Sequence, residues 1–185
     1  HYYFTEDSDY EVAAFTIDAS YMDESRVLGL PVLPFEDIEK HFSPDDCDMF
    51  VAIGYRKLNR LREEKVAAAR AKGFTIAHYV SSRAEIWRGF TPSENLFILE
   101  NNTVQPFVTI GENTTLWSGN HIGHHCTIGA NVFIASHAVI SGAVTLGDNS
   151  FVGVNATIAD NLTVGARSVL GAGALLLADA PENSV

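Results

Sequence analysis

The sequence predicts a small α/β module followed by a parallel β-helix, and three observations lead to this fold class. Every sixth residue from Ile98 to Leu176 is Ile, Leu or Val. Gly, Ala or Ser commonly follows that aliphatic residue, and Asn recurs two places further on. Residues 1–80 lack this period and instead alternate apolar segments with stretches of helix-forming residues. The chain therefore changes architecture once along its length.

The six-residue period is typical of a β-helix and of few other folds. An α-helix turns every 3.6 residues and would scatter every sixth side chain around its axis, whereas a β-sandwich would show two-residue alternation. Gly and Asn turn a chain tightly because they accept positive φ angles. Each coil is too thin to bury its own apolar edge and must stack on the next one. We expect four to five coils of three hexads each.

Residues 1–80 follow the alternation of strand and helix that is typical of a parallel sheet covered by helices. The predicted elements are three strands (Tyr10–Asp18, Asp48–Gly54, Phe74–Val80) and two helices (Pro34–Phe42, Arg56–Lys72). We expect a partial Rossmann-like sheet that lacks its first strand, because the sequence starts abruptly and without Met. The predicted organisation is an α/β module (1–80), a polar connection (81–95), the β-helix (96–178) and a tail (179–185).

Composition excludes several classes of function. The 185 residues include only 12 Lys and Arg, and the net charge is −11, which argues against a protein that tracks nucleic-acid phosphates. No apolar stretch is long enough to span a membrane. Cys47 and Cys126 lie far apart with no CxxC pair, so we expect a reducing, cytoplasmic location and no metal site.

Four histidines inside the repeat are the main chemical signal: His121, His124, His125 and His137. Three of them fall in the segment HIGHHC, at hexad positions expected on or near a turn. Histidine can accept a proton from a nucleophile near neutral pH and pass it on. Trp117, just before this segment, stands where a small residue is expected, so it either faces a substrate cleft or is a surface aromatic.

Four segments carry a resemblance to a known family: IGHHCTIG (122–129), FVAIGYRKLN, GVNATI and VLGAGALL. They resemble the hexapeptide-repeat nucleotide-sugar acyltransferases of the sialic-acid O-acetyltransferase and bacterial amino-sugar N-acetyltransferase type. The resemblance covers nearly the whole chain. It implies a left-handed β-helix, a homotrimer, acetyl-CoA or another acyl-CoA as co-substrate, and a nucleotide-linked sugar as acceptor for surface polysaccharide biosynthesis.

The resemblance also implies roles for residues of the repeat. His124 matches the family's catalytic base, with His125 beside it, and Gly142 matches the position whose backbone N–H stabilises the oxyanion. Val154 and Ala172 match positions that touch the cofactor in the groove between two subunits. Gly142 also has a purely structural explanation as a turn residue.

In the α/β module, the resemblance assigns nucleotide-sugar binding to Asp18, Gly54, Tyr55 and Arg56, together with Trp117. Asp18 could instead be a turn residue that ends a strand. Arg56 could be a surface charge near the start of a helix. The family's Gly-rich first loop has no counterpart in this sequence.

Two departures from the family pattern leave alternatives open. An acid usually follows the base, where this chain has His125, and a second His usually stands where this chain has Phe133. Either His125 or a residue of a neighbouring subunit supports the base, or the base is weak. A weak base favours N-acylation, because a free amine needs less help than a hydroxyl. The alternatives are O-acetylation, a non-catalytic nucleotide-sugar-binding β-helix, and a trimeric zinc enzyme of the γ-carbonic-anhydrase kind.

Overall fold

The computed structural model describes residues 1–185 and begins with a small module of short elements. In chain order these are α1 (Tyr2–Glu6), β1 (Phe15–Ile17), a 3₁₀ turn (Ala19–Tyr21), β2 (Arg26–Val27), β3 (Leu30–Pro34), a 3₁₀ helix (Phe35–Lys40), β4 (Asp48–Met49), α2 (Arg60–Ala71) and β5 (Thr75–Ile76). β1 pairs with β3 and β4 pairs with β5, both in parallel, while β2 joins β3 antiparallel. The predicted parallel pairing is present, in two small sheets.

The module's elements are shorter than the sequence predicts. The predicted helix 56–72 begins only at Arg60, because Lys57, Leu58 and Asn59 all have positive φ angles. The predicted helix 34–42 is a 3₁₀ helix over Phe35–Lys40. Neither α-helix has both the length and the apolar character needed to cross a bilayer.

The remaining sixteen strands have two residues each and form a parallel β-helix. They are β6 (Tyr79–Val80), β7 (Glu85–Ile86), β8 (Phe97–Ile98), β9 (Thr103–Val104), β10 (Thr109–Ile110), β11 (Thr115–Leu116), β12 (His121–Ile122), β13 (Thr127–Ile128), β14 (Phe133–Ile134), β15 (Val139–Ile140), β16 (Thr145–Leu146), β17 (Phe151–Val152), β18 (Thr157–Ile158), β19 (Thr163–Val164), β20 (Val169–Leu170) and β21 (Leu175–Leu176). They build sheet I (β6, β8, β11, β14, β17, β20), sheet II (β7, β9, β12, β15, β18, β21) and sheet III (β10, β13, β16, β19).

Each strand pairs with the strand one coil away in matching register, so hexad positions stack. Ile122 lies against Ile140, which in turn lies against Ile158. These three side chains are completely buried, in a core of 19 buried residues inside the coils. Burying such a side chain contributes about 1.5–3 kcal/mol, so the aliphatic column drives the stacking.

The β-helix extends beyond both ends of its predicted range. Strand β6 pairs with β8, and β7, inside the predicted connection 81–95, pairs with β9. The repeat is hidden there because Pro92 occupies the hexad position of the third strand and has no N–H to pair. At the other end Ala180 bridges to Val164, so part of the predicted tail 179–185 continues the last coil.

Three corners join the sheets, and we name each after its characteristic residues. The tryptophan corner joins sheet I to sheet II (117–120 and its stacked equivalents), the histidine corner joins II to III (123–126), and the asparagine corner joins III to I (129–132). The third residue of each regular turn has a positive φ angle, and the commonest residue there is Asn. Asn tolerates this conformation better than most residues other than Gly.

The α/β module lies on sheet I and at the asparagine corner. The Tyr55 ring packs against Phe133 and Phe151 of sheet I, at 5.0 and 4.8 Å between centroids. Arg62 of α2 donates hydrogen bonds to Asn113 and to the carbonyl oxygen of Val132. The module therefore leaves the histidine corner uncovered.

Candidate active site

The histidine corner holds two imidazole rings in direct contact. Nδ1 of His124 lies 3.1 Å from Nδ1 of His125, and the rings are nearly perpendicular at 85°. Both side chains are exposed. A hydrogen bond at this distance requires one Nδ1 to carry the proton and the other to accept it.

Gly142, one coil further on, lies beneath the His124 ring. A Cβ atom at residue 142 would lie 2.7 Å from Cε1 and 2.9 Å from Nε2 of His124, so a side chain there would displace the ring. The φ angle of Gly142 is not positive, so the close approach of the ring is what favours glycine here. The N–H of Gly142 donates to no acceptor within the chain.

This arrangement is chemically suited to proton transfer beside a developing negative charge. When the Nδ1–H of His124 donates a hydrogen bond to Nδ1 of His125, Nε2 of His124 carries the lone pair, and this atom faces the space above Gly142. A base and a free backbone N–H then stand next to each other, which are the two groups that acyl transfer to an amine or hydroxyl requires.

Two residues that sequence reasoning missed support the pair from the preceding coil. The Gln105 side-chain oxygen accepts the His124 backbone N–H at 2.9 Å. The Phe107 ring packs on His125 at 4.7 Å between centroids. Phe107 could have been noticed in the sequence, because it occupies the turn position where Asn recurs elsewhere. It lies, however, just before the most regular part of the repeat.

The four repeat histidines do not form one cluster. His121 is the outward residue of strand β12 in sheet II. His137 belongs to the tryptophan corner, where its ring lies so close to Gly119 that a Cβ there would be 2.5 Å from Nδ1. Only His124 and His125 are brought together. Within one chain, no three His, Cys, Asp or Glu side chains are grouped as metal ligands would be.

Trp117, Val154 and Ala172 lie together at the tryptophan corner, away from His124. Val154 and Ala172 are exposed and occupy the same turn position one coil apart. The Trp117 side chain is 46% exposed, with its ring 6.3 Å from that of Phe133. This corner therefore offers an exposed strip of small and aromatic side chains.

The four candidate residues of the α/β module have different environments. Asp18 ends strand β1 and is paired with Lys65 of α2, both being partly buried. Gly54 has open space where a Cβ would stand, so no contact requires glycine there. The Tyr55 ring packs against sheet I. Arg56 is exposed and forms no salt bridge.

The cysteine beside the histidines is not placed to act as a nucleophile. Cys126 is fully buried, its Sγ donates to the Ser141 carbonyl oxygen at 3.0 Å, and burial raises the pKa of its thiol. A thiol with a raised pKa is a poor source of thiolate. Cys47 is also unpaired.

Two family models match the β-helix in succession. The model for the bacterial transferase hexapeptide (six repeats) matches residues 107–142, and the model for the hexapeptide repeat of succinyl-transferase matches residues 143–178. Together the two matches cover residues 107–178 and identify this part of the chain as a hexapeptide repeat similar to that of bacterial transferases. The predicted resemblance to nucleotide-sugar acyltransferases of this repeat type is supported by solved structures. No curated protein sequence matches this chain significantly.

Three solved structures resemble this chain over most of its length. The acetyltransferase domain of PglB from Neisseria gonorrhoeae FA1090 is 26% identical, with a TM-score of 0.82 over 91% of this chain and 80% of that one. A mutant of perosamine N-acetyltransferase from Caulobacter crescentus, in complex with CoA and GDP-perosamine, is 26% identical, with a TM-score of 0.80 over 89% and 77%. WeeI from Acinetobacter baumannii AYE is 22% identical, with a TM-score of 0.78 over 92% and 80%, and supports the fold alone. The predicted fold, an α/β module followed by a left-handed β-helix, is confirmed.

Proposed function

We propose that this protein transfers an acyl group, most simply acetyl, from acyl-CoA to the amino group of a nucleotide-linked sugar. The observation that carries the proposal is the contact of the His124 ring with Gly142, whose N–H is free, while His125 engages the opposite ring nitrogen. Two similar structures, at 26% identity, are an acetyltransferase domain and an N-acetyltransferase bound to CoA and GDP-perosamine.

The reaction makes one C–N bond and breaks one C–S bond. The sugar amine attacks the thioester carbonyl carbon, and the carbonyl electron pair moves onto oxygen. We assign the Gly142 N–H as a donor to that oxyanion. Nε2 of His124 takes the proton released by the attacking nitrogen. The intermediate collapses, the CoA thiolate leaves with the C–S electron pair, and the proton on His124 is delivered to it.

His125 takes the orienting role that an acid fills in the family pattern. As a neutral ring it accepts a hydrogen bond from the Nδ1–H of His124, which leaves the lone pair of His124 on Nε2. A neutral acceptor stabilises the imidazolium less than a carboxylate would. This suits an amine acceptor, which is more nucleophilic than a hydroxyl, and it favours N-acylation over O-acylation.

A complete site requires more than one copy of the chain, and we propose a homotrimer. The proposed cofactor residues Val154 and Ala172 lie at the tryptophan corner, whereas His124 lies at the histidine corner of the same coils. An acyl-CoA at the first corner can meet His124 only where corners of neighbouring copies come together. The α/β module, seated on sheet I, likewise faces away from its own His124.

We assign acceptor binding to the α/β module with Trp117 at its edge. The proposed contacts are Asp18, Gly54, Tyr55 and Arg56. Asp18 also has a structural role through its salt bridge with Lys65, and so does Tyr55 through its packing on sheet I. Arg56 is the unpaired cation of the four and suits a diphosphate. A reducing cytoplasm and surface-glycan synthesis complete the proposal.

Thiol release from acetyl-CoA, measured against UDP-, dTDP- and GDP-linked amino sugars and their hydroxyl analogues, tests this function. Turnover that depends on one amino sugar, with the amide product identified by mass spectrometry, is the expected result. Turnover only with the hydroxyl analogue would establish O-acylation instead. Tight binding of a nucleotide sugar without thiol release, by a folded trimer, would contradict the catalytic proposal.

A further inference from the structure

Phe107 is the most unusual exposed residue of the histidine corner. Its side chain is 77% exposed, the highest value among the large hydrophobic residues of the β-helix. Its φ angle is +64°, a left-handed conformation that is uncommon for bulky residues. Neither burial within the chain nor backbone preference therefore explains a phenylalanine at this position.

Other coils show what this turn position favours when it has only a structural task. Asn occupies the same backbone conformation repeatedly, at φ angles near +60°, at Asn101, Asn113, Asn131, Asn149, Asn155 and Asn161. Asn accepts this region because its short polar side chain bonds locally. The same coil geometry at residue 107 would be easier to form with Asn than with Phe.

The contact that Phe107 does make is with the proposed catalytic pair. Its ring packs on His125 at 4.7 Å and 39°, one coil below. His125 also has a positive φ angle, +59°, and its N–H donates to the Pro106 carbonyl oxygen at 3.1 Å. Two strained residues thus support each other next to His124, as is common where a side chain must be aimed.

We propose that Phe107 is a positioning residue that holds the His125 ring in the orientation in which it accepts a hydrogen bond from the Nδ1–H of His124. The inference rests on the proposed function, because it assigns Phe107 to the same base. Phe107 touches neither reactant and acts through His125. The exposed imidazole of His125 would otherwise rotate freely about its side-chain bonds, and the tautomer of His124 would no longer be selected.

The experiment is a double-mutant cycle in the full-length protein, with kcat, KM and Tm measured for each variant. Phe107→Asn should lower kcat about tenfold, since misplacing a catalytic group by about 1 Å can cost up to ~10²-fold. The Tm should hold or rise, because Asn suits the turn. Phe107→Tyr should keep the ring contact and retain the wild-type kcat.

The His125→Ala background shows whether Phe107 acts through His125. There, Phe107→Asn should change kcat less than twofold, because contacting residues are not additive. An equal loss in both backgrounds, an unchanged kcat, or a rise confined to the acceptor KM would each overturn the inference. Thiol release by the wild type tests the proposed function itself, and His124→Ala tests the base. If His124→Ala retains activity, His124 is not the base and the positioning role of Phe107 falls with it, whereas an inactive His124→Ala alongside a fully active Phe107→Asn overturns the positioning role alone.

Discussion

The asparagine corner and the histidine corner are built on the same repeat and the same left-handed turn, yet they hold opposite kinds of side chain. At the asparagine corner the amides bond one another along the stack: Asn95 donates to Asn113 at 2.7 Å, and Asn113 donates to Asn131 at 2.6 Å. All three are buried. At the histidine corner the equivalent residues are Phe107 and His125, and both are exposed. Beside them, Nε2 of His124 has no hydrogen-bond partner in the chain.

Arg62 completes the asparagine corner and shows how closed it is. Its side chain is 1% exposed and donates to Asn113, Ile53 and Val132, without a carboxylate partner. Burial lowers the pKa of Arg62 to about 10, so it remains charged at neutral pH. The stacked amides and the Arg62 guanidinium bond one another and nearby carbonyl oxygens within the chain. A coil position is thus closed when its polar groups satisfy each other, and available to a ligand when they are left open.

The largest expected effect comes from the open corner. His124→Ala should lower turnover by about 10²–10⁴-fold, the contribution typical of a general base, while Tm stays the same because the ring is exposed. Thiol-release kinetics and a thermal melt measure both quantities. His41→Ala, an exposed histidine of the α/β module, is the matched control and should keep full activity. Wild-type turnover in His124→Ala would place the proton transfer elsewhere.

Arg62→Met should instead lower stability rather than turnover, with a loss of about 3 kcal/mol in the free energy of unfolding. The change removes a buried cation and leaves several carbonyl oxygens without donors. Urea denaturation measures it, and Arg60→Met, at an exposed position of the same helix, is the control. If the two substitutions cost equal stability, the closed corner does not hold the module in place.

Gly142→Ala sharpens the contrast within the open corner. The new methyl group meets only the mobile end of the His124 ring, so the fold should survive while the ring is displaced. We expect turnover to fall about 10–30-fold, as for a misplaced catalytic group. Ser141→Ala is the neighbouring control. A crystal structure of Gly142→Ala with an unmoved His124 ring and normal kinetics would disprove the role of this contact.

The smallest effect concerns a second junction between module and β-helix, built on a carboxylate. Asp7 accepts hydrogen bonds from the Tyr79 hydroxyl at 2.6 Å and the Ser82 N–H at 3.0 Å. The hydrogen bonds from Ser82, with help from Tyr79, hold the pKa of Asp7 well below its usual range. A lowered pKa contributes stability that is present above about pH 4 and is lost as the pH falls further.

The measurement for this junction is the Tm between pH 3 and 6. The wild type should lose more Tm on acidification than Asp7→Asn, whereas Asp9→Asn, which removes an exposed carboxylate nearby, should follow the wild type. Parallel curves for the wild type and Asp7→Asn would show that this carboxylate does not link the module to the first coil.

The β-helix could be predicted from the sequence because its core is one-dimensional. A period of six places Ile122 and Ile140 in register whatever the rest of the chain does. The repeat was lost only where Pro92 interrupts it, so the first strands, β6 and β7, were assigned to other segments. The α/β module was less predictable because its short strands follow no repeat and depend on contacts made far along the chain.

The candidate site divides in the same way. His124 and Gly142 could be found from a local motif, whereas Gln105 and Phe107 required knowledge of which residues meet across one coil. From the sequence alone, the four histidines of the repeat were considered together as one chemical signal. The turn geometry separates them, because residues 121, 124 and 137 fall on a strand and on two different corners.

The sequence by itself determined the stacking of coils, the position of each turn and the residue types available for acyl transfer, since all of these follow from a short period repeated along the chain. Only the tertiary structure decided which turns are closed and which leave polar groups exposed and unpaired. That outcome depends on side chains 18 residues apart, such as Asn113 with Asn131 or Phe107 with His125, and on whether the α/β module covers them. Hydrogen-bond satisfaction and exposure are properties of neighbours in space, which a linear period does not specify.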